Sequence, residues 1–363
     1  RLAHAAAFRY VSDGGETRFR NALDPDSRTR RIFSFHQPRT LSRWMRQADE
    51  DPQAPTYRAR LRLRMPELDE RPPLRPPAQI TAVRGVENSV ALGKGQQGMG
   101  QSRSLVQMAT GAGKTYTAVT FSYRMLKYAR AERVLFLVDR NNLGGAQAVA
   151  EFENFETPDT RRKFADLFNV QRLGGAEGMN ASAKVVVSTV QRLYMELTGS
   201  RLPEVRPEGG EGEEADLPYD VPGEISVGYN PNIPPEAFDL IVVDECHRSI
   251  YGKWRSVLEY FDAPPVVGLT ATPVAQTFGY FNGNLVSEYT YQEAVADGVN
   301  VDFRVYEIET RITAEGGGSS PAAPFRSATG APAASAMRTS TRTSSTARTR
   351  SASASSVRTS FAR

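Results

Sequence analysis

"QMATGAGKTYTAV", residues 107–119, follows the apolar run "SLVQM" (104–108) and precedes a helix-compatible stretch. Strand, glycine-containing loop, Lys-Thr pair and helix, in that order, meet the mechanical needs of a loop that grips phosphate. Met108 stands where the strict pattern has its first glycine, so the variant A-x-x-G-x-G-K-T applies, through Ala109, Gly111, Gly113, Lys114 and Thr115. Gly111 and Gly113 let the backbone bend until its N–H groups converge on phosphate oxygens. A helix beginning near Lys114 turns its N-terminus, with free N–H groups and a positive dipole end, toward the same anion. The spacing therefore predicts a nucleotide cradle over Thr110, Gly111, Ala112, Gly113, Lys114 and Thr115. Lys114 is expected to reach the β- and γ-phosphates and Thr115 to place its hydroxyl on Mg²⁺. The alternative is a strand-to-helix turn that only packs.

Outward from this loop the pattern repeats. "RVLFLV" (133–138), "KVVVS" (184–188), "LIVV" (240–243) and "VVGL" (266–269) are short apolar runs separated by longer, helix-compatible stretches. Runs apolar on both faces suit buried strands, and the spacing predicts an α/β fold with a parallel sheet covered by helices on both sides.

"FDLIVVDECHRS" (238–249) ends one such run in Asp244 and Glu245. Two carboxylates at a buried strand end are costly unless a cation or solvent meets them, and the carboxyl edge of an open α/β sheet is where ligands bind. Asp244 is expected to hold the Mg²⁺ of Mg-ATP, and Glu245 to orient and polarise the attacking water. Helix capping by solvated acids is the plainer reading. A Cys246–His247 nucleophile is disfavoured, because adjacent residues at a strand end do not point at one another. "GLTATP" (268–273) offers Thr270 and Thr272 at the next strand end. They are expected to relay the state of the γ-phosphate to a neighbouring domain, although the same sequence also serves as an ordinary strand exit.

Composition bounds what surrounds this core. The 363 residues suffice for about two domains, and no apolar run reaches the length of a membrane span. The first residue is Arg and no leader follows, which reads as a cut from a longer chain. A single cysteine, Cys246, excludes an internal disulfide and fits a cytoplasmic location. The net charge of +4 includes seven arginines in 316–363 without a compensating acid, leaving −3 for the rest. The overall charge is therefore no evidence of a nucleic-acid surface on the folded part.

Organisation follows from composition. Residues 1–65 are mixed, with a turn at "DPDS" and a short strand at "RIFSF"; 66–78 lie in a proline-rich linker; 79–313 form the main domain. Residues 203–224, acidic and rich in Gly and Pro, read as a surface insertion, and "VDFRVYEIETRIT" (301–313) as one more strand. From about 314 to 363, Ser, Ala, Thr and Arg dominate, which predicts a disordered tail. The abrupt change of composition is expected to mark a frameshift product, with a basic DNA-binding tail as its rival.

Taken in order, "MATGAGKT", "VLFLVDRNNL", "VVVSTVQRL", "VDECHRS" and "GLTATP" resemble the first RecA-like lobe of superfamily 2 helicases and translocases. The flanking text, including "ETRFRNALDPDSRTRRIFSFHQPRTL", resembles the restriction subunit of type I restriction–modification enzymes, over roughly residues 5–316. The resemblance implies a P-loop NTPase, first lobe only, that uses ATP and Mg²⁺ to drive double-stranded DNA past methyltransferase and specificity subunits, with an endonuclease on the same polypeptide. It implies that Gln79 reads adenine and that Arg140, Thr189 and Gln191 lie in segments touching the DNA backbone, solvated loop residues or helix capping being the alternative for these three. Residues 1–65 would be the end of the nuclease region, whose acids cannot be placed in this chain. A second lobe is expected after Thr313 and nothing past Gly316 resembles it, so the fragment alone is expected to be inactive. A different superfamily 2 helicase and a non-catalytic nucleotide-binding remnant are the competing readings.

Overall fold

The computed structural model describes residues 7–68, 74, 77–94, 102–139, 145–174, 178–199, 226–250, 254–261 and 264–303. The insertion expected over 203–224 therefore lies outside the described residues, as do Arg140, the tail and most of the strand expected over 301–313; residues 301–303 carry no strand. The described residues up to Asn300 belong to one compact unit.

Alternation of aromatic and charged side chains builds an antiparallel meander of β1 (Phe8–Ser12), β2 (Thr17–Asn21) and β3 (Thr29–Ile32). Its inner face packs Phe19 and Ile32 toward His36 and Trp44, with Phe19 ring centroids 4.4 and 6.1 Å from theirs. The strand expected at "RIFSF" starts and stops earlier than its apolar letters suggest. Phe33 leaves the sheet to stack 4.8 Å from Tyr260, and Phe35 turns back toward Tyr10. Helix α1 (Pro38–Glu50) starts with proline, whose missing N–H is not needed in a first turn. Helix α2 (Tyr57–Leu63) is capped by Thr56, whose side chain accepts from Ala59 N.

The chain then runs through α3 (Ala78–Leu92), β4 (Arg103–Met108), α4 (Lys114–Lys127), β5 (Val134–Val138), α5 (Ala146–Asn154), β6 (Val170–Arg172), β7 (Val185–Thr189) and α6 (Val190–Thr198). It continues through β8 (Leu240–Val243), α7 (Cys246–Ser249), α8 (Arg255–Tyr260), β9 (Val266–Thr270), α9 (Ala275–Tyr280), β10 (Leu285–Tyr289) and α10 (Tyr291–Ala296). The seven strands from β4 onward form one sheet, ordered β10-β4-β9-β8-β5-β7-β6, and every pairing is parallel. The five runs read from sequence are its five central strands. The two outermost strands, β10 and β6, are less buried, and their sequences carry no unbroken apolar run.

Successive residues feed two cores. Val134, Phe136 and Val138 of β5 join the core under α3, α4 and α5, while Leu135 and Leu137 join the one under α6, α8 and α9. Burial on both faces is why these strands read as unbroken apolar runs. Parallel pairing also gathers every strand's carboxyl end at one edge, where Met108, Val243 and Thr270 finish.

The meander and α1–α2 sit at the other edge. Buried Arg60 donates to the carbonyls of Ala129, Ala54 and Pro55 and to Gln47 Oε1, and Gln37 N donates to Glu236 Oε1 at 2.7 Å.

Candidate nucleotide site at the carboxyl edge

Between β4 and α4 the backbone turns through two left-handed glycines, Gly111 (φ +81°) and Gly113 (φ +85°). A side chain is excluded at Gly113 twice over: by φ, and because a Cβ would lie 2.2 Å from Gln79 Nε2. Gln79 is buried in α3 and donates to Ala112 O (3.1 Å) and Gly113 O (3.5 Å), bracing the loop from behind. On the opposite flank Asn300 Nδ2 donates to Thr110 O at 3.1 Å, and a Cβ on Gly111 would meet Asn300 Oδ1 at 3.2 Å. Lys114 and Thr115 open α4 at the loop's end.

Asp244 and Glu245 follow β8, two strands from β4 with β9 between them. Asp244 N donates to Leu137 O, and Glu245 N to Asp244 Oδ1 at 3.0 Å. Glu245 is held in the left-handed region (φ +44°, ψ +46°), a conformation that strains a residue with a Cβ. The turn aims its carboxylate at Lys114, with Oε1 3.4 Å from Nζ. Its other oxygen lies 3.5 Å from His247 Nδ1. The same imidazole nitrogen is 2.9 Å from Thr270 Oγ1, which in turn accepts from Thr272 N at 3.1 Å. Lys114, Glu245, His247, Thr270 and Thr272 thus form one connected chain of polar contacts. Thr270 is fully buried and Thr272 exposed.

Burial, and next the charge of Glu245, push the Asp244 carboxyl up to about 6, against the opposing pull of Lys114. Two acids crowded at a desolvated strand end, beside one lysine and a left-handed glycine loop, form a donor set that fits a divalent cation on a polyphosphate. Cys246, by contrast, is buried and its thiol pushed far up by desolvation, as expected of a core residue and not a nucleophile.

The expected DNA-contacting residues fare differently. Thr189 Oγ1 accepts from Arg192 N at 3.2 Å and caps α6, and both Thr189 and Gln191 are buried. Arg140 lies outside the described residues. His247 and Asn300 belong to the site but were not read as such. His247 was visible beside the acids. Asn300 lies 190 residues from its partner and carries no local signal.

The arrangement is a RecA-like parallel α/β sheet with a left-handed glycine loop of the phosphate-binding type at its carboxyl edge. Residues 73–275, more than half of the chain, match the family described as type III restriction enzyme, res subunit, and the chain belongs to that family. Curated relatives include the type I restriction enzyme EcoAI endonuclease subunit of Escherichia coli, 31% identical over 225 residues (60% of this chain, 23% of the relative). Another is the EcoKI endonuclease subunit of Escherichia coli K12, 32% identical over 243 residues (62% and 17%). The chain thus spans about a quarter or less of these relatives. A solved fragment assigned to an HsdR subunit of a type I restriction enzyme from Vibrio vulnificus YJ016 aligns with 80% of this chain and 43% of its own, at 23% identity and a TM-score of 0.40. Over its central region the chain is thus similar to the endonuclease subunits of type I restriction enzymes. Among the described residues no helix is long and apolar enough to cross a membrane.

Proposed function

We propose that this chain is the ATP-binding motor lobe of the restriction subunit of a type I restriction enzyme. In the intact protein it drives ATP-dependent translocation of double-stranded DNA, coupled to endonuclease action, beside methyltransferase and specificity subunits. The observation that carries the reading is the meeting of Lys114, Glu245 and Asp244 at one sheet edge, beside a loop that turns through two left-handed glycines. The type I restriction relatives favour this over a generic helicase.

In this reading Lys114 exchanges Glu245 for the β- and γ-phosphates when nucleotide arrives, and the released carboxylate accepts the proton of the attacking water. Thr115 and Asp244 would hold Mg²⁺, which neutralises phosphate charge when bound. His247 keeps Glu245 oriented and passes its position, through Thr270, to exposed Thr272. Gln79 reads the adenine while bracing the loop. Residues 1–65 close the nuclease region and 79–313 form the motor lobe.

Titration with a fluorescent ATP analogue and Mg²⁺ tests the site. Lys114→Ala is expected to weaken binding at least tenfold, in line with loss of a charge-assisted phosphate contact; equal affinity in wild type and variant sinks the assignment.

A further inference from the structure

The balance of charge over the whole chain conceals a local pattern in the N-terminal meander. Arg9 pairs in register with Arg20, and Arg18 with Arg31, so four guanidinium groups share one face of a three-stranded sheet. All four residues are exposed, and the opposite face is the one packed on His36 and Trp44. Like charges directly opposite on neighbouring strands destabilise a sheet. Here the arrangement occurs twice with little relief. Glu16 pairs with Arg18 at 2.7 Å, Arg20 Nε donates to Ser27 Oγ, and among the described residues Arg9, Arg20 and Arg31 have no ion pair. The fold tolerates a repulsion that an external polyanion would relieve.

We propose that this face binds the sugar–phosphate backbone of duplex DNA, through Arg9, Arg18, Arg20 and Arg31. The proposal rests on the motor reading above, which supplies duplex as the track. Charge complementarity selects the occupant. Arginine forks match phosphate oxygens in a bidentate way. Diagonal neighbours on such a sheet stand about 7 to 8 Å apart, comparable with successive phosphates on one strand. A protein partner would require an apolar anchor at the centre of its interface, and Val11 is the one apolar side chain among the exposed residues of this face.

The test is fluorescence anisotropy of the full 363-residue chain on a labelled duplex of arbitrary sequence, about 30 base pairs long, between about 50 and 200 mM salt. Replacing all four arginines by glutamine is expected to lower the slope of log K against log salt by roughly 3 to 4, since each phosphate contact contributes about 0.9. Melting temperature should stay at or above the wild-type value, because the cross-strand repulsion is removed, and affinity for the fluorescent ATP analogue should be unchanged, which separates failure of this surface from failure of the nucleotide site. A charge-matched variant with Arg46, Arg161, Arg162 and Arg255 changed to glutamine should keep its slope. An unchanged slope in the first variant, an equal loss in the second, or no duplex binding by wild type overturns the proposal. Loss of polyglutamate binding with duplex binding intact would overturn it too, and assign the face to an acidic protein.

Discussion

Asp244 is the residue at which stability and the proposed function pull apart. Its carboxyl is pushed up to about 6 by burial and by Glu245. The folded chain therefore binds more protons than the unfolded one between about pH 4 and 6, and unliganded protein loses stability as pH rises through that window. At neutral pH the loss amounts to at most about 3 kcal/mol. Asp244→Asn removes the charge and keeps the shape. It is expected to raise the midpoint of chemical unfolding at neutral pH, to lose that advantage near pH 4, and to weaken Mg²⁺-dependent binding of the ATP analogue. A stability difference independent of pH would show that the carboxylate is not the strained group. The comparison has to be between variant and wild type, because buried His36, pushed down to about 3, contributes the opposite slope: its stabilisation fades as pH falls below the ordinary histidine range.

At the scale of elements, the close approach of β9 to α7 and the end of α9 rests on one absent side chain. A Cβ on Gly268 would lie 2.2 Å from Phe281 Cζ and 2.8 Å from Cys246 Sγ. Gly268→Ala is expected to cost about 2 kcal/mol through overpacking, read by urea unfolding. Because β9 carries Thr270 at its end, the same change should also weaken nucleotide binding. Phe281→Leu in the same chain should recover part of the stability; a double variant no better than the sum of its parts would place the strain elsewhere. This packing explains a glycine inside a strand that reads, by composition, as a weakness.

At the scale of the molecule, the α1–α2 pair that follows the meander meets the parallel sheet around the buried Arg60. Arg60 satisfies carbonyls from both sides, Ala54 and Pro55 on its own and Ala129 before β5. Arg60→Met should leave those acceptors without their charged donor and cost about 3 kcal/mol. Calorimetry of the wild type should show the two parts melting in one transition, with the variant melting earlier; two separate wild-type transitions would mean that the interface does not couple them.

Local order was enough to specify the centre of the sheet and its loop. Strands buried on both faces must be apolar throughout, and a left-handed loop that opens a helix needs its glycines at Gly111 and Gly113, just ahead of Lys114, so both leave their mark within a few residues. The acid pair stands out in the sequence for a similar reason, since two carboxylates ending an apolar run are costly unless solvent or a cation meets them. Contacts made across long sequence separations were decided only by the tertiary structure. Parallel pairing brought Glu245 to Lys114, folded Asn300 onto Thr110, set buried Gln79 behind Gly113 and turned Thr189 into a helix cap. The paired arginines of the meander became a surface only when antiparallel register set them side by side. None of these depends on which residues stand next in the chain; each depends on where strands end and which of them are neighbours, and that follows from burying two apolar faces at once.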